Sequence, residues 1–322
     1  MVKFKLIAAC TVALGLATPA SAQDYPNRPI RLIVSFGPGG GADIVGRILG
    51  QAITERLGQA VVIENRPGAA GTIGNELVAR AEKDGYTLGI MTAGQIIAAV
   101  MNKSLRYDTA TAFEPIAQVA TASLIMVTRP DFPANSAKEL VALAKASPGK
   151  YTVASPGFGA TQHLAAELFK QSAGVEMLPV QFRTTPEAIT AVLSKQVDVL
   201  FDTVLAVLGQ VQSGQLKAIA VTGKERFPIV PDVPAAAESG VVPGYDVTTW
   251  YGVFGPRGMP REVVAKLNKV LLESIKDPAV AERLTKAGVA VQGSTPEAFG
   301  KFMADELARW NKVREAAGIP QQ

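Results

Sequence analysis

The chain has 322 residues and a net charge of +4, and with 48% hydrophobic and only 19% charged residues it has the composition of a globular protein. It contains one cysteine, Cys10, and one histidine, His163. Structural zinc sites need four Cys or His ligands and a disulfide needs two thiols, so these counts exclude structural zinc sites, iron–sulfur clusters and internal disulfides. They also argue against hydrolytic metalloenzymes.

The first 22 residues have the pattern of a secretory signal peptide. Lys3 and Lys5 give a positive start, residues 6–17 are apolar, and Ala20-Ser21-Ala22 is a small-residue cleavage site. The apolar stretch is shorter than the roughly 20 residues that a membrane-spanning helix needs. We therefore expect cleavage after Ala22 and export to the periplasm.

The remaining chain has no basic character that would indicate a nucleic-acid partner. Its net charge is about +2, because the first 22 residues hold two lysines and no acidic residue. No run of Lys and Arg is longer than two residues. The sequence therefore predicts that the protein does not bind nucleic acid.

Strands and helices alternate in the first half of the chain. A nearly all-apolar run over 30–36 predicts a buried strand, and apolar residues at a 3.6-residue period over 42–57 predict a helix that Gly58 ends. The pattern then predicts a strand over 61–64, a helix over 72–81 and a strand over 87–91. This order indicates a mostly parallel sheet with helices on both faces.

A second series of the same kind starts with a strand near residues 124–127. The predicted elements that follow are helices over 136–146 and 161–171, strands over 151–154, 197–201 and 216–221, helices before and after the strand at 197–201, and C-terminal helices over 260–275, 278–287 and 295–316. We therefore predict an α/β fold of two lobes with mixed, mostly parallel sheets. Lobe 1 comprises residues 23–125 and 250–322, and lobe 2 comprises residues 126–249.

A glycine-rich segment, residues 36–43, joins the first strand to the first helix. Backbone N–H groups and the positive end of the helix can together bind a carboxylate or phosphate there. The alternative is a tight turn with no ligand. Gly37, Gly39 and Ala42 also fit a G-x-G-x-x-A dinucleotide pattern, with Glu64 ending the next strand, so an NAD-binding enzyme is a further alternative.

A second glycine-rich turn, residues 154–162, again follows a strand and opens a helix. Each lobe thus offers a helix N-terminus at the carboxyl edge of its sheet, where ligands of open α/β folds bind. If the two edges face each other, the cleft could hold both ends of an anion with two charged groups. Thr161 would donate its hydroxyl to the ligand or cap its helix.

Four further residues complete the candidate site. Thr92 and Gly94 follow the strand at 87–91 and could form part of the pocket wall. Arg183 would pair with a carboxylate or be solvated on an exposed loop. Asp202 ends the strand at 197–201 and would accept a hydrogen bond from a ligand hydroxyl or cap the following helix.

Taken together, the sequence resembles the Bug family, the exported receptors of tripartite tricarboxylate transporters, from about Tyr25 to the C-terminus. The residues that carry the resemblance are Phe36–Asp43, Glu64–Gly71, Asp84–Leu88, Tyr107–Asp108, Ala154–Gly159, Gln162–Ala165, Val197–Asp202, Pro231–Pro234 and Trp250–Gly252. The resemblance implies a two-lobed periplasmic binding protein that is not an enzyme and needs no cofactor. It would act as a monomer and deliver its ligand to the membrane components of the transporter.

The resemblance also implies a ligand site in the cleft between the lobes, where backbone N–H groups hold carboxylates. Carried over residue by residue, this site comprises Phe36, Gly40, Gly41, Ala42 and Asp43 in lobe 1, with Gly159, Ala160, Thr161, Gln162 and Asp202 in lobe 2. The chain departs from the family pattern at 180–184, at Thr161 and at 92–94, so the ligand cannot be transferred. Phe36, Phe158 and Phe182 suggest an apolar or aromatic carboxylate, or else belong to the core.

Overall fold

The computed structural model describes residues 25–157, 160–316 and 321. The predicted signal peptide and its cleavage site lie outside these residues. The strands are β1 Ile30–Val34, β2 Val61–Asn65, β3 Thr87–Thr92, β4 Phe113–Thr128, β5 Thr152–Pro156, β6 Leu178–Phe182, β7 Val199–Thr203, β8 Lys217–Val221, β9 Thr248–Pro256 and β10 Ala290–Val291. The helices are α1 Gly41–Leu57, α2 Thr72–Ala79, α3 Ala93–Met101, α4 Ala137–Ala146, α5 Thr161–Ala173, α6 Thr185–Leu193, α7 Val204–Gln212, α8 Arg261–Lys276, α9 Pro278–Lys286 and α10 Pro296–Ala316.

One long strand connects the two halves of the molecule. The strand order is β2-β1-β3-β9-β4-β7-β5-β6, and β8 and β10 also pair with β4. Up to Ser123, β4 pairs with β9, whereas from Leu124 onward it pairs with β7 and β8. We call the part built on β1, β2, β3, β9 and β10 the first half, and the part built on β5, β6, β7 and β8 the second half.

Both halves are mixed sheets of an α/β fold, as the sequence predicted. The outer strands β2, β1 and β3 are parallel, as are β6, β5 and β7. The strands around β4 and β9 are antiparallel. The carboxyl ends of the parallel strands, with the loops that follow them, therefore face the boundary between the halves.

Helices cover both faces of the first half, which explains why β1 is almost entirely apolar. Leu32 and Val34 pack into one core with α1 and α8, while Ile33 points to the opposite face. There it joins a second core that includes Met91 of β3 and Phe299 of α10. A strand buried on both faces has no polar alternation, and this is the pattern that the sequence has over 30–36.

Most predicted elements are confirmed within about two residues. The helix predicted over 42–57 is α1, and the helix predicted over 161–171 is α5. The sequence pattern did not predict α3, β6, β9, β10 or the first eleven residues of β4. Among the described residues, no helix has both the length and the hydropathy to cross a bilayer.

Candidate functional site

A small cavity of about 50 Å³ lies between the two halves, and we call it the chamber. Its wall from the first half consists of Phe36, Gly37, Gly40, Gly41, Ala42, Thr92, Thr249 and Tyr251. Its wall from the second half consists of Pro156, Gly157, Thr161, Gln162, Arg183, Thr184, Thr185 and Thr203. The wall is rich in glycine and hydroxyl groups, and its one ionisable cation is Arg183.

Five helices begin at the chamber. Residues at the starts of α1, α3, α5, α6 and α7 all line its wall. Each helix N-terminus presents unpaired N–H groups and roughly half a positive charge. At α1, α5 and α7 the capping residue makes no side-chain hydrogen bond to the helix. The chamber is therefore suited to an anion held by backbone N–H groups.

The glycine-rich loop before α1 brings the two halves into close contact. A Cβ atom on Gly41 would overlap the Tyr251 hydroxyl and lie 2.8 Å from Leu205 Cδ2 of α7. A Cβ on Gly37 would lie 2.7 Å from Thr184 Cγ2, just before α6. The absence of side chains at these glycines thus allows the second half to pack directly on the loop.

A second contact between the halves lies beside the same chamber. A Cβ on Gly94, in the first turn of α3, would lie 3.1 Å from the Thr161 nitrogen and 3.2 Å from its Oγ1. The starts of α3 and α5 therefore meet with only glycine between them. This contact places Thr92 and Thr161 on opposite sides of one small cavity.

Asp202 lies beneath the chamber and is fully buried. Its carboxylate accepts hydrogen bonds from Thr185 Oγ1 at 2.7 Å, from the Thr203 N–H at 2.7 Å and from Gln162 Nε2 at 3.3 Å. Burial raises the pKa of Asp202 to about 6, and these hydrogen bonds oppose part of that rise. Asp202 thus orients two side chains of the chamber wall, those of Gln162 and Thr185.

The hydroxyl of Thr203 is the one buried polar group of the chamber wall without a partner among the described residues. Thr203 is 3% exposed, and its Oγ1 makes no hydrogen bond. The atom lies close enough to the Asp202 carboxylate and the Tyr251 hydroxyl to lower the pKa of each, although it makes no hydrogen bond of good geometry to either. Burial raises the pKa of Tyr251, so this phenol stays neutral at physiological pH. An unpaired buried hydroxyl at a cavity wall is a candidate ligand contact.

Asp43 does not line the chamber but supports the loop beside it. Its Oδ2 accepts hydrogen bonds from the Gly39 N–H at 3.0 Å and from Arg47 Nε at 2.9 Å. Its Oδ1 accepts one from Asn65 Nδ2 at 2.9 Å. Burial would raise the pKa of Asp43, but the hydrogen bonds from Arg47, Gly39 and Asn65 together lower it. The charged carboxylate thus holds the glycine-rich loop against α1 and β2.

The structure brings most of the candidate site residues together. The chamber wall includes Phe36, Gly40, Gly41, Ala42, Thr92, Thr161, Gln162 and Arg183. Gly94 and Ala160 lie just behind it, at the contact between α3 and α5, while Asp43 and Asp202 support it through hydrogen bonds. Gly159 lies outside the described residues.

The chamber wall also carries a set of hydroxyl groups that the sequence did not predict, those of Thr184, Thr185, Thr203, Thr249 and Tyr251. Thr184 and Thr203 precede helices, a position where threonine usually serves as a cap. Tyr251 is 2% exposed within a strand, a setting typical of a core residue. The signal that was available is the position of Thr203 at the carboxyl end of a predicted strand, on the edge where ligands bind.

A family profile described as "Tripartite tricarboxylate transporter family receptor" matches residues 45–319. The chain is 33% identical over 306 residues to protein BugT of Bordetella pertussis, covering 94% of each chain. These matches span nearly the whole length of both proteins.

Solved structures give the same result. The fold superposes on the structure of periplasmic binding protein BugD with a TM-score of 0.87 at 37% identity, covering 92% of this chain and 100% of that one. It superposes on R. palustris Rpa4515 with adipate with a TM-score of 0.88 at 31% identity, covering 92% and 99%. The second of these proteins was solved with a dicarboxylate bound.

Proposed function

The chain belongs to the tripartite tricarboxylate transporter receptor family, whose Bug members are periplasmic solute-binding proteins, and we propose that it captures a small carboxylate in the chamber. The observation that carries this proposal is the convergence of five helix N-termini, from both halves, on one cavity. Delivery of the ligand to the membrane components of the transporter, by a monomer exported through cleavage after Ala22, completes the proposed function.

We propose that the two halves are lobes that close on the ligand, with lobe 1 comprising residues 23–125 and 250–322 and lobe 2 comprising 126–249. The change of partners along β4 between Ser123 and Leu124 supports a hinge there. A ligand that touches both walls stabilises the closed form, because only the closed form offers it both sets of contacts. Binding would thereby report the presence of the solute to the transporter.

Two alternatives are less well supported. An NAD-dependent enzyme would need space for a pyrophosphate above the loop at Gly37–Gly41, but Thr184 and Leu205 of the second half pack there. Family membership also favours a receptor over an enzyme. A sensing module without a transporter would use the same closing fold, and a transport assay in cells that lack the receptor distinguishes the two.

The proposed function predicts that carboxylates stabilise the purified protein. A ligand at about ten times its dissociation constant should raise the free energy of unfolding by about 1.4 kcal/mol, because it binds only the folded state. The measurement is thermal unfolding with monocarboxylates, dicarboxylates, citrate-like tricarboxylates, acidic amino acids and NAD, after refolding to remove bound ligand. Stabilisation by NAD alone would overturn the proposal.

Thr203→Val should weaken carboxylate binding about fivefold to tenfold without destabilising the ligand-free protein. Valine has the shape of threonine, and the hydroxyl that it removes has no partner in the described structure and does not cap α7. Removing an unpaired buried hydroxyl is neutral or stabilising, whereas a ligand that accepts its proton loses a hydrogen bond. Calorimetric titration and urea unfolding of the same samples separate these effects. Unchanged affinity would show that Thr203 does not touch the ligand.

A further inference from the structure

A larger groove lies next to the chamber. The groove has a volume of about 600 Å³ and lies between residues 67–71 of the first half and residues 181–184 of the second. It shares Phe36, Gly37, Gly157, Arg183 and Thr184 with the wall of the chamber. The two cavities therefore adjoin each other along these residues.

The sizes of the two cavities differ more than tenfold. The chamber, at about 50 Å³, has room for about four water-sized groups, which is a carboxylate and the first carbon atoms next to it. The groove, at about 600 Å³, falls in the range of ordinary small-molecule sites. The head of a ligand in the chamber would thus leave its remaining atoms in the groove.

Small residues form the wall of the groove in the first half. Residues 67–71 are Pro, Gly, Ala, Ala and Gly, and none of them carries a side chain that reaches far across the groove. Ala69 and Ala70 have φ values of 46° and 53°, a left-handed conformation that costs an alanine about 1 to 2 kcal/mol each. The loop thus has a strained backbone, and its small side chains leave the groove unfilled.

The side walls of the groove are partly apolar, and one acidic residue is among its lining residues. Phe36 and Phe182 are half-buried on its walls, beside the two alanines. Glu187 also lines the groove, and its carboxylate accepts a hydrogen bond from the Arg183 N–H at 3.2 Å. A second carboxylate in the groove would meet this negative charge, whereas an uncharged hydrocarbon would cover the apolar walls.

The Arg183 side chain lies where the two cavities meet. It lines both of them and makes no ion pair with any residue in the described ranges. A guanidinium at this junction attracts the carboxylate head into the chamber, and the carbon atoms then follow the groove outward. This arrangement distinguishes the polar end of a ligand from its apolar end.

We propose that the groove binds the uncharged apolar tail of a monocarboxylate whose head occupies the chamber, so that the protein selects alkyl or aryl monocarboxylates over dicarboxylates of equal length. This inference rests on the proposed carboxylate-binding function and adds the class of ligand to it. It follows from the residues that the two cavities share, the small residues at 67–71 and the presence of Glu187 in the groove wall.

The proposal predicts that affinity increases with the length of the tail. Titration calorimetry with straight-chain monocarboxylates from propionate to octanoate should give about a threefold to fourfold gain for each methylene that enters the groove. Octanoate should bind at least tenfold more tightly than suberate, which has the same length and a carboxylate at each end. The heat capacity change of binding should become more negative along the monocarboxylate series.

A variant that fills the groove tests its location. Ala70→Phe should weaken octanoate binding at least tenfold and propionate binding much less, because only the longer ligand needs the blocked space. Ala142→Phe is the matched control, since Ala142 is exposed on α4 and away from both cavities. If Ala70→Phe does not fold, Phe182→Ala serves instead and should reduce the gain per methylene.

The possible outcomes separate this inference from the proposed function. Binding of dicarboxylates as tight as or tighter than monocarboxylates, with no gain per methylene, would overturn the groove proposal and leave the receptor function intact. An equal loss of affinity for octanoate and for propionate in Ala70→Phe would also overturn the groove proposal. Failure of every carboxylate to bind would remove both proposals.

Discussion

Replacing Gly41 with alanine should reduce ligand affinity at least a hundredfold while leaving each half folded. The added methyl group would overlap the Tyr251 hydroxyl and lie 2.8 Å from Leu205 Cδ2 and 3.0 Å from Thr203 Oγ1. Real Cβ atoms are not found this close to other heavy atoms, so the neighbours must move. Since Leu205 and Thr203 belong to the second half, the methyl group acts as a wedge between the halves.

The same substitution affects the anion site itself. Gly41 is the first residue of α1 and lines the chamber, and a chamber of about 50 Å³ cannot lose a methyl-sized volume without excluding part of the ligand. Alanine is compatible with a helix, and separation of the halves relieves the contacts with Leu205 and Thr203, while the Tyr251 hydroxyl, in the same half as Gly41, must shift. We therefore expect loss of binding with only a small loss of secondary structure, measured by titration calorimetry and far-ultraviolet circular dichroism.

Gly209→Ala is the matched control. Gly209 lies within α7, four residues after Leu205, and a Cβ there would meet nothing within 4 Å. Because glycine weakens a helix interior, this variant should keep its affinity within about twofold and gain up to about 1 kcal/mol in stability. If Gly41→Ala bound the ligand as tightly as the wild type does, the halves would not need to approach this closely for binding.

The elements that the sequence predicted well are those with a clear boundary between buried and exposed surface. The helix α1 has an apolar stripe and a glycine after its last turn, and its limits were predicted almost to the residue. In contrast, α3 has seven of its nine residues buried, so it lacks the polar face that marks a helix in a sequence. The sequence therefore predicted only that Thr92 and Gly94 follow a strand and form part of the pocket wall, and it did not predict a helix there.

The strand β4 illustrates a second limit. Its 16 residues serve two sheets in turn, and only the continuous apolar run near 124–127 resembles an ordinary buried strand. The earlier part contains Pro115, Gln118 and two irregularities of register opposite β9, which break the expected pattern. A role that spans two sheets is set by tertiary pairing, and no local propensity encodes it.

The candidate site was predictable where it consists of backbone N–H groups at the starts of helices. Two glycine-rich turns between a strand and a helix were enough to locate both walls of the chamber. What the sequence could not give was the distance between the walls, because contacts such as Gly37 with Thr184 join residues far apart in the chain. Asp43 is predicted as part of the ligand site, and its carboxylate holds the glycine-rich loop through Gly39 and Asn65.

Asp202→Asn should remove a large pH dependence of stability. The pKa of the buried carboxyl is about 6 in the folded protein, above its ordinary value of 3.8. Between these two values the folded state keeps a proton that the unfolded chain has lost, so stability falls as the pH rises through this window. Above pH 6 the full destabilisation of about 3 kcal/mol is present. The free energy of unfolding of Asp202→Asn minus that of the wild type should therefore increase by about 3 kcal/mol between pH 3.5 and pH 7.5.

The neighbouring ionisable groups do not produce the same signal. Burial raises the pKa of Tyr251, so it stays neutral throughout, and burial lowers the pKa of His163, next to Gln162 in α5. Asp43 has a lowered pKa and stays charged over most of the range. Urea unfolding of both proteins at several pH values measures the difference. A constant difference would show that Asp202 titrates near its ordinary pKa.

The same carboxyl should also couple ligand binding to proton uptake. An anion in the chamber contacts a wall whose Gln162 and Thr185 both donate to Asp202, so the two negative charges would lie close together in a buried setting. A nearby like charge raises the pKa of Asp202 further, and binding then takes up a proton above pH 6.

Wild-type affinity should therefore fall at least tenfold between pH 5.5 and pH 8, a range in which the ligand's own carboxylate stays ionised. Asp202→Asn should bind with nearly constant affinity over that range, because its amide carries no charge to repel the anion. Calorimetric titrations in two buffers of different ionisation enthalpy would detect the proton directly, and equal heats in both would show that Asp202 remains ionised when the ligand binds.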